Sequence, residues 1–96
     1  MAIYFISRHP GASRWARQQN IQAIHLAHLL PQQISTGDTV IGNLPVHLAA
    51  YVCAQGARYL HLQISIPVHL RGCELSAEQM TQLDARLVEM HCHAIG

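Results

Sequence analysis

The sequence predicts a small α/β domain built on a mostly parallel sheet with helices against its faces. Three observations predict it. The chain has 96 residues, the size of one domain. Half of them are hydrophobic, spread in short runs broken by polar residues or turns. Runs of β-forming residues alternate with runs of helical period, the pattern of strands joined through crossover helices.

Taken in order, Ala2 through Ser7 is an almost continuous apolar run, as expected of a buried central strand. Arg8-His9-Pro10-Gly11 ends it, and a short helix over Ala12 to Gln19 follows, anchored by Trp15. Ile21 to Leu29 reads as a second strand, with Ile24 and Leu26 inward. Pro31 through Asp38 is turn chemistry. Thr39-Val40-Ile41 forms a brief buried strand closed by Gly42. From Pro45 to Gln55, Leu48, Ala49, Val52 and Cys53 recur at helical spacing, with Pro45 in the first turn and Gly56 at C′. Tyr59 to Ile66 alternates as a fourth strand and Pro67 ends it. A last helix starts at Ser76, where Gln79 completes a capping box and Leu75 can staple onto Met80. Met80, Leu83, Leu87 and Met90 give that helix one apolar stripe, and His91 to Gly96 is expected to be a frayed tail. The predicted order is β-α-β-β-α-β-α in a single domain spanning residues 1–96.

Composition excludes several functions. A net charge of +1 lacks the strong basic balance of a protein that binds long nucleic acid. No stretch approaches the roughly 20 apolar residues of a membrane helix. The amino terminus has no basic n-region, and Arg8-His9 interrupts its apolar run, so the expected location is cytoplasmic. Cys53, Cys73 and Cys92 are odd in number and form no C-x-x-C pair, which reads as reduced thiols, with Cys53 expected in the core. A chain this short buries about 65% of its unfolded surface, so stability is modest and a homodimer is expected.

The chain contains no lysine; all six fixed cations are arginines, and Arg8, Arg14 and Arg17 crowd one segment. The guanidinium fork suits bidentate contact with phosphate. A local cluster on a neutral protein fits a small anionic ligand, although Arg14 and Arg17 read equally well as a solvated helix face.

In open α/β sheets, ligands bind beyond the carboxyl ends of the strands. Two loops meet that description: Ser7-Arg8-His9-Pro10-Gly11-Ala12 after the first strand, and Gly42-Asn43-Leu44-Pro45-Val46-His47 after the third. Each leads into a helix amino terminus, where unpaired N–H groups and partial positive charge favour anions. Gly11 is expected to let backbone approach a ligand closely. The alternative is that both are ordinary strand-to-helix turns. Neither is a G-x-G-x-x-G or Walker A motif, so dinucleotide dehydrogenase and NTPase readings fail. No G-x-S-x-G elbow is present, and the five carboxylates form no sequence pair.

His9 and His47 border these loops, and histidine is the side chain most often used for proton transfer, which makes them the general acid–base candidates; a structural role for either stays open. Eight histidines invite a metal reading, but the spacings give it little support. His25 and His28 fall on a predicted strand, His91-Cys92-His93 in the expected tail, and His61 and His69 have no evident partner. No metal and no cofactor is expected.

The same loops resemble a known family. Ser7-Arg8-His9-Pro10-Gly11-Ala12 followed by Trp15 is similar to the opening of very small CRISPR-associated accessory proteins of type III systems. Gly37 through Ala50 resembles that family's central block, and Gly56-Ala57-Arg58-Tyr59 and Arg71-Gly72-Cys73-Glu74-Leu75-Ser76 extend the likeness. Ser7 and Asn43 stand where threonine is common in the family. The hydroxyl survives at the first position and is lost at the second.

The resemblance implies a Rossmann-like, CARF-like fold and ring nuclease activity, the degradation of a cyclic oligoadenylate second messenger. It implies Arg8, and the N–H groups near Gly11 and Asn43, on the phosphate. His9 would protonate the leaving oxygen or stabilise the transition state, and His47 and Ser7 would position or deprotonate the ribose 2′-hydroxyl. Pro10, Gly42, Leu44 and Pro45 complete the expected ligand loops, and Arg71 belongs to a loop closing over the ligand. The alternatives from other classes are a non-catalytic sensor or sponge for the same ligand, and a structural subunit of a larger CRISPR complex.

Overall fold

Phe5 and Ile6 are neighbours in sequence and face opposite sides of the sheet, and the core divides along that alternation. The computed structural model describes residues 1–96. Its elements are β1 (Ile3–Ile6), α1 (Pro10–Gln18), β2 (Ile24–Leu26), β3 (Thr39–Gly42), α2 (Val46–Ala54), β4 (Arg58–Gln63), α3 (Ala77–Gln82) and β5 (Arg86–Met90), with 3₁₀ turns at Pro31–Gln33 and Val68–Leu70. The five strands lie in the order β2-β1-β3-β4-β5. The first four are parallel and β5 runs antiparallel to β4. The predicted class is the observed one.

On one face, Phe5, Ile41 and Leu62 pack against Ala12, Trp15 and Ala16 of α1 and Ala77 and Met80 of α3. On the other, Ile6, Val40 and Tyr59 pack against Ala49 and Val52 of α2. The central strands are therefore covered on both sides, which is why β1 and β3 read as continuous apolar runs.

All three helices stop by the same device. After α1, α2 and α3, a C′ residue takes positive φ: Asn20 at 60°, Gly56 at 81° and Asp84 at 60°. In each case the next residue's N–H reaches back to the first carbonyl of the last turn: Ile21 to Ala16 (3.0 Å), Ala57 to Val52 (3.3 Å) and Ala85 to Met80 (3.0 Å). These are Schellman motifs.

The third of them corrects the sequence reading. The last helix does not run to Met90 but ends at Gln82, and Arg86–Met90 forms β5. The stripe of Met80, Leu83, Leu87 and Met90 has helical spacing, yet Asp84 adopts the left-handed conformation that Asp and Asn tolerate. Beyond it, Leu62↔Leu87 and Leu60↔Glu89 pair across the strands. Arg58 donates twice to Glu89, from Nε (3.1 Å) and Nη2 (3.0 Å), which pins the register. The expected second strand contracts to Ile24–Leu26, and the fourth ends at Gln63. Cys53 is half-buried instead of fully buried. Residues 91–96 have no regular structure, but Cys92 is held: its N–H donates to Cys53 Sγ (3.3 Å).

Candidate functional site

The chain leaves β1 toward β2 on one side and reaches β3 on the other. The carboxyl ends of β1 and β3 are therefore the topological switch point of the sheet, where connecting loops diverge and leave a crevice. A cavity of about 610 Å³ lies there, within the range of ligand pockets. Ser7, Arg8 and His9 line it from the β1 side, and Asn43, Leu44 and Pro45 from the β3 side. Leu62, Ile64 and Leu75 contribute to a mainly apolar floor. A mainly apolar cavity with a few polar groups in its lining suits a ligand that has both a base-like body and charged oxygens.

The loops are shaped by packing as much as by chemistry. Gly42 closes β3 where a Cβ would come within 2.8 Å of the Ile6 carbonyl oxygen, so only glycine lets the two central strands approach this closely. Ser7 Oγ accepts the His9 N–H (3.1 Å), which turns the chain from β1 into α1. Neither α1 nor α2 has a side-chain cap, and neither has an acidic residue in its first turn. In α3, by contrast, Ser76 and Gln79 make the expected capping box. The two uncapped amino termini are those that follow the cavity loops, leaving donors and partial positive charge on that side of the sheet.

Behind the second loop stands a buried phenol. Tyr59 is 2% exposed. Its hydroxyl accepts the Leu44 N–H (3.0 Å), donates to the Gly42 carbonyl (3.0 Å) and lies 2.8 Å from His61 Nδ1. With its single proton directed to Gly42, the phenol oxygen accepts from both Leu44 and a protonated His61 Nδ1, and every group is satisfied. Burial raises the Tyr59 pKa, so the phenol stays protonated through the neutral range. Tyr59 thus tethers both ends of Gly42-Asn43-Leu44.

Behind the first loop stands a carboxylate. His9 Nδ1 is 2.8 Å from Glu74 Oε1, and both side chains are more than half exposed. Glu74 belongs to the segment leading into α3. It lines a second, shallower groove of about 530 Å³ together with Gly11, Ser13, Arg14 and Arg17.

Several sequence expectations are placed differently. Gly11 does not open the backbone to the cavity: a Cβ there would overlap the Leu75 carbonyl, so the glycine serves the approach of α1 to the segment before α3. Pro10 and Gly11 line the second groove and not the cavity. His47 is exposed and outside the cavity lining. It sits two positions before Ala49, on the buried face of α2, hence roughly 200° around the helix. Arg71 is exposed beyond the second 3₁₀ turn and also outside the lining. His28 does line the cavity, from the end of β2, while His25 packs its ring on Phe5 at 5.2 Å. Burial, and then the charge of Arg17, lower the His25 pKa.

The match to a family model decides the membership. Residues 4–93 match the family described as "Putative CRISPR-associated protein (Cas_VVA1548)". The chain belongs to that family. The match begins inside β1 and ends beyond β5, so this CRISPR-associated family's pattern spans both cavity loops. No curated protein and no solved structure matches the chain. No helix is long and apolar enough to cross a membrane.

Four lining or supporting residues escaped the sequence reading: Glu74, Tyr59, His61 and His28. Each acts on residues at least 15 positions away or through a loop with no periodicity, except the Tyr59–His61 pair. That pair was visible as i, i+2 on a strand, where both side chains share one face.

Proposed function

We propose that this CRISPR-associated protein is a ring nuclease that binds a cyclic oligoadenylate, such as cyclic tetra-adenylate, and cleaves it without a metal, switching off type III signalling. One observation carries the reading: Ser7, Arg8 and His9 share a single cavity with Asn43, Leu44 and Pro45 at the switch point of the sheet. The ligand's 2′-hydroxyl oxygen attacks the adjacent phosphorus and loses its proton. The bond from phosphorus to the 5′-oxygen breaks, and that oxygen gains a proton. The products are a 2′,3′-cyclic phosphate and a 5′-hydroxyl. Arg8 and the Asn43 N–H hold the phosphate, and His9 delivers the proton to the leaving oxygen. Ser7 and His28 stand beside the ribose, His28 taking the part expected of His47. A cavity suited to a drug-sized ligand holds only part of a four-nucleotide ring, which favours a two-fold homodimer with two cavities facing one ring.

The test is turnover of labelled cyclic tetra-adenylate in EDTA at substrate excess. Many turnovers to products ending in 2′,3′-cyclic phosphate are expected. His9→Ala should slow the wild-type rate by roughly 10²-fold or more, the scale of general acid catalysis. Arg8→Ala should weaken both binding and rate. Rates within a few-fold of wild type in both variants would refute the assignment.

The exposed position of His47 favours a second reading, sequestration without cleavage, because the histidine expected to act on the 2′-hydroxyl stands outside the cavity. A sponge would saturate at stoichiometric, intact ligand.

A further inference from the structure

We infer that Glu74 is the positioning residue of His9, holding the imidazole from behind so that Nε2 is the nitrogen presented to the cavity. The inference rests on the functional reading above for its kinetic consequence, but not for its geometry. Three observations carry it.

First, the contact is specific to one ring nitrogen: Glu74 Oε1 lies 2.8 Å from His9 Nδ1. A carboxylate accepts only, so in the neutral ring it selects the tautomer with the proton on Nδ1 and leaves the lone pair on Nε2.

Second, the two residues sit on opposite sides of a wall. His9 lines the main cavity and Glu74 does not; Glu74 lines the shallower groove instead. A carboxylate inside the cavity would repel a phosphate, whereas one behind the imidazole stabilises the imidazolium without meeting the ligand.

Third, Glu74 shares its groove with Arg14 and Arg17, yet the ion pair it makes is with His9. The stronger cations of α1 are left without acidic partners, and the carboxylate is committed to the histidine. The close approach of Gly11 to Leu75 supplies the rigidity: the backbone one residue beyond Glu74 is packed on the first turn of α1, two residues beyond His9.

The proton that His9 exchanges is thus carried at Nε2. When that nitrogen is charged, Nδ1–H remains on the Glu74 carboxylate. Nothing in the covalent structure of Glu74 changes during the cycle.

The test pairs a kinetic and a spectroscopic measurement on Glu74→Ala, Glu74→Asp and Glu78→Ala. Glu78 is the control: it accepts from Gln18 Nε2 (3.3 Å), so its loss removes the same charge from the same region without touching His9. With cyclic tetra-adenylate, Glu74→Ala should lower kcat about 10- to 100-fold, as expected for a carboxylate behind a working histidine, with KM within about twofold. Glu74→Asp should recover part of the loss, and Glu78→Ala should match wild type. Long-range ¹H–¹⁵N spectra of the ligand-free protein, with His9 assigned through His9→Gln, should show the Nδ1–H tautomer in wild type and a shift toward Nε2–H in Glu74→Ala.

An unchanged tautomer in Glu74→Ala overturns the inference, as does an equal loss of kcat in Glu78→Ala. If wild type binds the ring but never cleaves it, the nuclease reading fails while the tautomer shift still establishes the positioning. Loss of rate with no tautomer shift refutes the positioning and leaves the nuclease intact.

Discussion

Tyr59→Phe removes a single oxygen from the core and, with it, three contacts. Phenylalanine fills the same space, so no cavity opens and the loss is polar. The Leu44 N–H loses its acceptor, the Gly42 carbonyl its donor and His61 Nδ1 its partner. A net hydrogen bond is worth about 0.5–1.5 kcal/mol, and an orphaned buried donor costs about 1–3 kcal/mol. His61 is half-buried and can turn to water, so the Leu44 and Gly42 losses dominate and the variant should be destabilised by about 2–3 kcal/mol. For a domain of this size that lowers Tm by roughly 8–24 °C.

The assay is paired thermal and urea unfolding. Because burial raises the Tyr59 pKa, the unfolded chain ionises first as pH rises. The wild type should then lose stability above about pH 10, the ordinary value for tyrosine, and Tyr59→Phe should lack that component. If the proposed function holds, affinity for cyclic tetra-adenylate falls as well, because both tethers of Gly42-Asn43-Leu44 are gone. A variant within about 0.5 kcal/mol of wild type would refute the claim that this phenol holds the loop, since that is the range of inconsequential substitutions.

Gly11→Ala should cost about 3 kcal/mol or more in urea unfolding, because its methyl group meets the Leu75 backbone and not a side chain that could move aside. Asp84→Gly should raise stability by roughly 0.5–1 kcal/mol, read as a higher urea midpoint, because Asp84 holds φ at 60° and glycine does so freely. The sign matters: within an uninterrupted helix the same change would destabilise by a similar amount. Asp38 accepts the N–H groups of Ala2 (2.9 Å) and Ser35 (2.9 Å), and these bonds, in that order, hold its pKa below the usual carboxylate value. That contribution is complete above about pH 4 and disappears as pH falls through the depressed value, so Asp38→Asn should unfold more easily at neutral pH and show a shallower acid limb.

What was legible in the sequence follows from what is local. β1 and β3 are set by apolar runs buried on both faces and β4 by alternation, and both patterns are visible without knowing their partners. Gly56 ended α2 on sight because glycine is the common C′ residue. Asn20 and Asp84 perform the same operation with side chains that are also ordinary on helix surfaces, and so α3 was read one strand too long. The cavity loops were legible because strand-to-helix turns at a switch point are the usual place for ligands. Their supports were not, because each depends on distance that topology alone creates: Glu74 lies 65 residues from His9, and Leu44 lies 15 from Tyr59.

Gly11 and His47 make the same point from the other side. Gly11 belongs to a segment that invites an anion-site reading, yet its missing Cβ faces Leu75 and the glycine is a packing requirement. His47 adjoins the second loop in sequence, but α2 must turn Ala49 and Val52 into the sheet, and that obligation rotates His47 away. Residues were legible as part of the site where they ended a strand, and misplaced where they began a helix. A strand's end fixes where its next residues stand, whereas a helix's buried face decides which of its first residues can reach the cavity.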